Sequence, residues 1–213
     1  DQSWLLIFLL ISMSVSAQLA ASHAQSGSAE RWLTAVEVAV AFFASIVLHE
    51  LGHSLVAQAL GIRVRSITLF LFGGVAQLES EPRKPLHEIA IALAGPAMSF
   101  ALGGLFWSLG GAAGDSTLSR EGLLFLGRVN LTLAVFNLAP GFPLDGGRVL
   151  RGVVWAATGS FARATRIASG AGVAALWPVS IETETSWLGA PFIVMPFVDG
   201  DIPGPATVFD PWL

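Results

Sequence analysis

Five consecutive residues, His49-Glu50-Leu51-Gly52-His53, hold the groups in this chain best suited to chemistry. Two histidines four positions apart, with a glutamate directly after the first, form the zinc-hydrolase pattern. On a helix, residues four apart lie about 40° from each other around the axis and one turn further along. Both imidazoles then reach a single cation, and Glu50 projects to the side where a water on that cation would sit. Zinc accepts imidazole nitrogen, and a catalytic site uses three protein ligands with one position left open. Such a metal brings the pKa of its water toward about 7, and a carboxylate can take and later return the proton. A pattern this short also arises by chance in charge-rich helices. Here, however, residues 38–60 carry no ionisable group other than His49, Glu50 and His53. Ionisable side chains inside an apolar span are costly unless paired or metal-bound.

A third ligand has to come from elsewhere. Position 59 is alanine, so the extended pattern with a third histidine six residues after the second is missing. The acidic candidates are Glu79, Glu81, Glu88 and Asp145. The first three lie in or beside a polar break, where solvated carboxylates need no special explanation. His87, next to Glu88, is read as solvated in the same way. Asp145 lies between Leu144 and Gly146-Gly147, just after an apolar stretch. The paired glycines allow a sharp turn and a close approach to a metal. An aspartate so placed is more often an ordinary helix N-cap, and the residues alone leave both readings open.

The elements that must position these groups are membrane-like. Of the 213 residues only 12% are charged and 54% are hydrophobic, far from the roughly one quarter charged of soluble domains. Residues 4–21 and 89–113 contain no Asp, Glu, Lys or Arg, and residues 122–138 contain only Arg128. With residues 38–60 these make four stretches near the roughly 20 apolar residues that cross a hydrocarbon core. The fold class expected is a mostly α membrane protein of about four transmembrane helices in a lipid bilayer. The first stretch has an alternative as a secretory signal, with Ala21-Ser22-His23-Ala24-Gln25 as a faint cleavage site. A start at Asp1 without a basic leader reads as a trimmed fragment. Absence of cysteine excludes disulfides and thiolate metal sites. A net charge of -4 gives no reason to expect a nucleic-acid partner.

Between the second and third stretches, residues 64–79 alternate with a period of two, and Gly73-Gly74 offers a tight turn. This predicts a short membrane-associated β-hairpin. Gly61 suits the end of the preceding helix. In the third stretch, Pro96 should kink the helix, and Gly95, Gly103 and Gly104 suit close helix packing. After Asn137, residues 140–148 break the helix, and amphipathic helices are expected over about 147–158 and 161–177. Residues 1–170 thus form a transmembrane core. Residues 171–213 form a Pro-rich acidic tail, with six prolines, five acids and no Lys or Arg from residue 178 onward. Arg63, Arg65, Arg83, Lys84, Arg148, Arg151, Arg163 and Arg166 fall on one side, against Arg31 and Arg120 on the other. That imbalance places the first group, the amino terminus and the His-Glu-His end of the second span on the cytoplasmic side.

His49-Glu50-x-x-His53 in an apolar span, followed by Asn137-x-x-Pro140-x-x-Pro143-Leu144-Asp145-Gly146-Gly147-Arg148, resembles the site-2 protease family of intramembrane zinc metalloproteases. The likeness extends through Phe72-Gly-Gly-Val-Ala and Ala94-Gly-Pro-Ala, roughly residues 4–170. The resemblance implies one Zn2+ held by His49, His53 and Asp145, with Glu50 as general base. It implies that Asn137 contacts substrate backbone or an oxyanion, where the residue alone would simply end a helix. It further implies a substrate that is a transmembrane segment of a membrane-anchored regulatory protein. Such a helix must unwind before hydrolysis, and an open edge over residues 66–79 could hold the extended segment by strand addition. The sequence is compatible with a homo-oligomer. The alternatives are a membrane metal carrier or sensor, and a catalytically inactive relative. The carrier needs a polar path through the spans, and the intact His-Glu-His-Asp set speaks against the inactive relative.

Overall fold

The computed structural model describes residues 3–70, 73–78, 82–113 and 117–176. Along the chain these form α1 (Ser3–Ser22), α2 (Ser28–Ala59), β1 (Val64–Phe70), β2 (Gly73–Leu78), α3 (Pro85–Ala112), α4 (Leu118–Asn137), α5 (Asp145–Thr158) and α6 (Phe161–Leu176). Among the described residues three helices, with stretches Leu5–Ser22, Ser28–Ala59 and Pro85–Ala112, are long and apolar enough to cross a bilayer. Four such spans were expected from composition. The fourth, α4, has 20 residues, but Arg120, Glu121 and Arg128 within it keep it out of that set.

The distribution of side chains is inverted relative to a protein folded in water. Leu6, Leu10, Leu33, Val40, Leu86, Leu105, Trp107 and Val135 are exposed, whereas Ser45, His49, Glu50, His53, Glu88, Ser99 and Asn130 are buried. Apolar exteriors around a polar interior suit helices whose surroundings are lipid and whose ionisable groups face one another. Apolar packing comes in two patches. Val15 and Leu19 of α1 meet Ala35 and Val38 of α2 and Leu118 and Leu126 of α4. Ala57, Ile62 and Ile91 form the second patch where α2 meets α3.

Small residues bring the helices close. A Cβ on Gly103 of α3 would lie 2.8 Å from Leu131 Cγ of α4, and one on Gly127 would lie 3.3 Å from the Gly103 carbonyl oxygen. The packing role expected of Gly103 is therefore met, whereas Gly104 faces open space. α3 is helical on both sides of Pro96, which is fully buried.

Gly61 ends α2 as its position suggested. Its φ of 80° lies in the left-handed region that side chains disfavour. The Ile62 amide donates to the Ala57 carbonyl and the Gly61 amide to the Gln58 carbonyl, both at 2.9 Å. That pair of bonds is a Schellman motif, with Ile62 packed back on Ala57. It turns the chain directly into β1.

β1 and β2 pair antiparallel, with Ile67 opposite Ala76, Thr68 opposite Val75 and Phe70 opposite Gly73. A turn at Gly73-Gly74 was expected, but both glycines pair within β2, and the connection falls on residues 71–72, outside the described residues. Alternation could not separate the two registers, because an even shift leaves every side chain on the same face. The pairing is irregular between Val64 and Ser66.

α5 packs against α3 on one side and against α6 on the other. α5 begins at Asp145, two residues before the helix expected from the pattern. α6 runs through the boundary placed at residue 170, as one continuous helix to Leu176. The Pro-rich stretch that follows lies outside the described residues.

Candidate metal centre

His49 and His53 face the same side of α2, as their spacing required, and both are buried. Their Nε2 atoms are 3.3 Å apart. Asp145 Oδ2 lies 3.2 Å from His49 Nε2 and 3.1 Å from His53 Nε2. The three donors therefore form a nearly equilateral triangle. Ligands at about 2.0 Å from a tetrahedral zinc ion are separated by about 3.3 Å, so the donor set fits such an ion. Among the described residues, no other group of three histidine or acidic side chains converges in this way.

The far side of each imidazole is committed to α3. His53 Nδ1 lies 2.7 Å from the Ile91 carbonyl oxygen. A carbonyl only accepts, so Nδ1 carries the proton and Nε2 presents its lone pair when the ring is neutral. His49 Nδ1 pairs with Ser99 Oγ at 2.8 Å. Outer partners of this kind orient metal-binding histidines and fix their tautomer. Between them sits Gly95, where a Cβ would fall 2.1 Å from His53 Nε2 and 2.6 Å from His49 Nε2. Only a residue without a side chain leaves the donor triangle open.

Asp145 is the first residue of α5, and the N-cap position belongs to Leu144. The aspartate thus directs its carboxylate across to α2 instead of capping its own helix. Burial alone would raise its pKa, but the hydrogen bonds and charges of His49 and His53 outweigh this and lower it to about 2. The paired glycines, expected to let the backbone turn sharply, lie instead within the first turn of α5. They admit the preceding loop. A Cβ on Gly146 would lie 2.2 Å from the Leu138 carbonyl oxygen, and one on Gly147 would lie 2.4 Å from the Gly141 carbonyl carbon.

Glu50 is buried next to His49 on α2. Asn137 is the last residue of α4, and its Nδ2 donates to the Leu133 carbonyl at 3.0 Å. Glu88, read from sequence as solvated, is 0% exposed and pairs with Arg148 and Arg151 of α5. Glu88 is buried because α5 folds over the amino-terminal end of α3 and removes it from solvent. Two of the basic residues counted as loop charges are thereby engaged within the fold. His87 is half-buried, and Glu79 and Glu81 lie outside the described residues. Ile91, Gly95 and Ser99 were missed as contributors to the site. A signal existed, because buried Glu88, Ile91, Ala92, Gly95, Ser99 and Gly103 recur at helical spacing on one stripe of α3.

The family model for Peptidase family M50 matches residues 37–119 and 112–179, which include both histidines and Asp145. The chain belongs to peptidase family M50. Among M50-like relatives, the protein sll0528 of Synechocystis sp. is 46% identical over 178 residues, covering 83% of this chain and 46% of that protein. Zinc metalloprotease MJ0392 of Methanocaldococcus jannaschii is 39% identical over 134 residues, covering 62% of this chain and 38% of that protein. The chain spans less than half the length of these curated relatives. The solved site-2 protease from Methanocaldococcus jannaschii superposes with a TM-score of 0.53 at 31% identity, covering 79% of this chain and 74% of that one. The resemblance to site-2 proteases is thus borne out. Family membership and three span-capable helices together make this M50 chain an integral membrane protein.

Proposed function

We propose that this chain is a zinc-dependent intramembrane endopeptidase that hydrolyses peptide bonds within transmembrane segments of membrane-anchored proteins. The observation that carries the reading is the donor triangle of His49, His53 and Asp145, whose imidazoles are each held from behind by α3. His49, His53 and Asp145 would hold one Zn2+. Zinc held there supplies a Lewis acid that acidifies water toward a pKa of about 7 and polarises a peptide carbonyl.

Glu50 is assigned as general base: it takes the proton of the attacking water and returns it to the leaving amide nitrogen. Its burial on α2 directly after His49 supports this. Asn137 is assigned to substrate backbone or the developing oxyanion. Its Nδ2 gives one N–H to the Leu133 carbonyl of its own helix, and the amide's second N–H can serve the substrate. The open edges of the β1–β2 pair are assigned to capture of the unwound substrate, since an extended segment can add to a strand's free N–H and C=O groups.

Residues 1–170 supply the membrane core in this reading, with α4 as a fourth span despite its charges. The amino terminus and the catalytic end of α2 face the cytoplasm, as the excess of Arg and Lys near that end supports. The test is metal analysis of detergent-purified protein together with cleavage of a single-span substrate. Zinc near one per chain, and cleavage lost in Glu50→Gln at unchanged zinc content, are expected. Glu50→Gln cleaving at the wild-type rate would overturn the mechanism.

A further inference from the structure

Glu88 lies outside the donor triangle, yet it is the most thoroughly buried acid described, at 0% exposure. Its Oε1 accepts from Arg151 Nη2 at 2.6 Å and from Arg148 Nε at 3.2 Å. Its Oε2 and the Nε of Arg151 are buried with no hydrogen-bond partner among the described residues. A buried ion cluster with unsatisfied atoms is a poor way to add stability, since apolar residues of similar size commonly do as well or better. In some proteins such a cluster instead fixes one register between the elements it joins.

The joined elements are those that build the metal centre. Glu88 is on α3 one turn before Ile91, whose carbonyl orients His53. Arg148 and Arg151 are on α5, which begins with Asp145. The Arg151 guanidinium also lies 5.2 Å from the ring of Phe142, in the loop leading to Asp145, and 4.8 Å from the ring of Phe161, which opens α6. Gly152 then admits α5 against α3, because a Cβ there would lie 2.5 Å from Ile89 Cγ1 and 3.2 Å from the Pro85 carbonyl oxygen. The ligand from α5 and the support of a ligand from α2 thus share one rack, the first turns of α3.

We propose that Glu88 is a positioning residue for the metal centre: through Arg148 and Arg151 it locks α5 in the register on α3 that brings Asp145 to His49 and His53. This rests on the metal-centre reading above, and cobalt alone is the probe. Detergent-purified full chain is titrated with Co2+, reading affinity and the d–d absorption bands, beside a thermal unfolding midpoint. Two variants are compared with wild type. Glu88→Gln removes the charge, and the triple variant Glu88→Met, Arg148→Met, Arg151→Met replaces the whole cluster with apolar side chains. Expected for both is a cobalt affinity about 10- to 100-fold weaker, the range for supporting partners of metal ligands, with altered d–d bands. The triple variant is expected to keep its unfolding midpoint. If Glu88→Gln fails to fold, the triple variant decides. Wild-type affinity and bands in the folded triple variant overturn the proposal. So does a fall in affinity that only tracks a fall in the midpoint, which is what a merely structural role would give. Wild-type protein that takes up no cobalt overturns the metal reading and this one with it.

Discussion

His53 Nδ1 donates to the main-chain carbonyl of Ile91 at 2.7 Å, and this bond decides which nitrogen His53 offers to the centre of the molecule. Because the acceptor is backbone, no side-chain substitution on α3 removes it. Only a shift of α3 along α2 can break it. The helix packing therefore controls this imidazole as directly as its own helix does.

Gly95→Ala should abolish metal binding while leaving the protein folded. Alanine is a better helix former than glycine, so α3 itself gains. The added Cβ, however, would lie 2.1 Å from His53 Nε2 and 2.6 Å from His49 Nε2, inside the space the donors enclose. Zinc content of the purified variant, with circular dichroism to verify helicity, checks this. Full zinc occupancy in a folded Gly95→Ala protein would rule out the site geometry.

Ser99→Ala removes the partner of His49 Nδ1 at 2.8 Å without touching a metal ligand. A loss of about 10- to 100-fold in metal affinity is expected. Competition with a chromophoric chelator measures it, and an unchanged affinity would mean that Ser99 does not orient the ring.

Asp145→Ala should weaken metal binding far more than Ser99→Ala, because it takes one of three donors and not a supporting bond. Glu50→Gln should leave metal affinity unchanged and lower cleavage by at least about 10²- to 10⁴-fold, the usual contribution of a positioned acid or base. Measuring both quantities on both variants separates ligand from base. Equal effects on metal affinity would collapse that distinction.

Proline placed singly along β1 and β2 tests the strand-edge role. Each proline removes one backbone N–H, so positions whose N–H faces outward should lose cleavage while zinc content stays at the wild-type level. Unchanged cleavage across the whole series would dismiss substrate capture by this pair.

Much of the centre is readable from short spacing. Two histidines at positions i and i+4 must share a helix face whatever surrounds them, and Gly61 ends α2 because few other residues accept a φ of 80°. The helices themselves follow from long runs of apolar residues, although α2 starts at Ser28, well before the uncharged part of its run. The hairpin turn was misplaced because alternation repeats every two residues and so cannot distinguish even shifts. Glu88 was misjudged for a different reason: a glutamate in the first turn of a helix suits solvent well, and nothing local reveals that α5 will cover it.

Sequence alone determined the residue types, the local geometry of α2 and the presence of a costly ionisable cluster in an apolar helix. Periodicity governs these, and it acts over a few residues. Tertiary structure decided that Asp145, 92 residues beyond His53, meets the two imidazoles, that Ile91, Gly95 and Ser99 surround them, and that Glu88 faces Arg148 and Arg151 instead of water. Those outcomes depend on how α3 and α5 pack on α2. Packing is set by the summed fit of many small and apolar contacts, which no single motif carries.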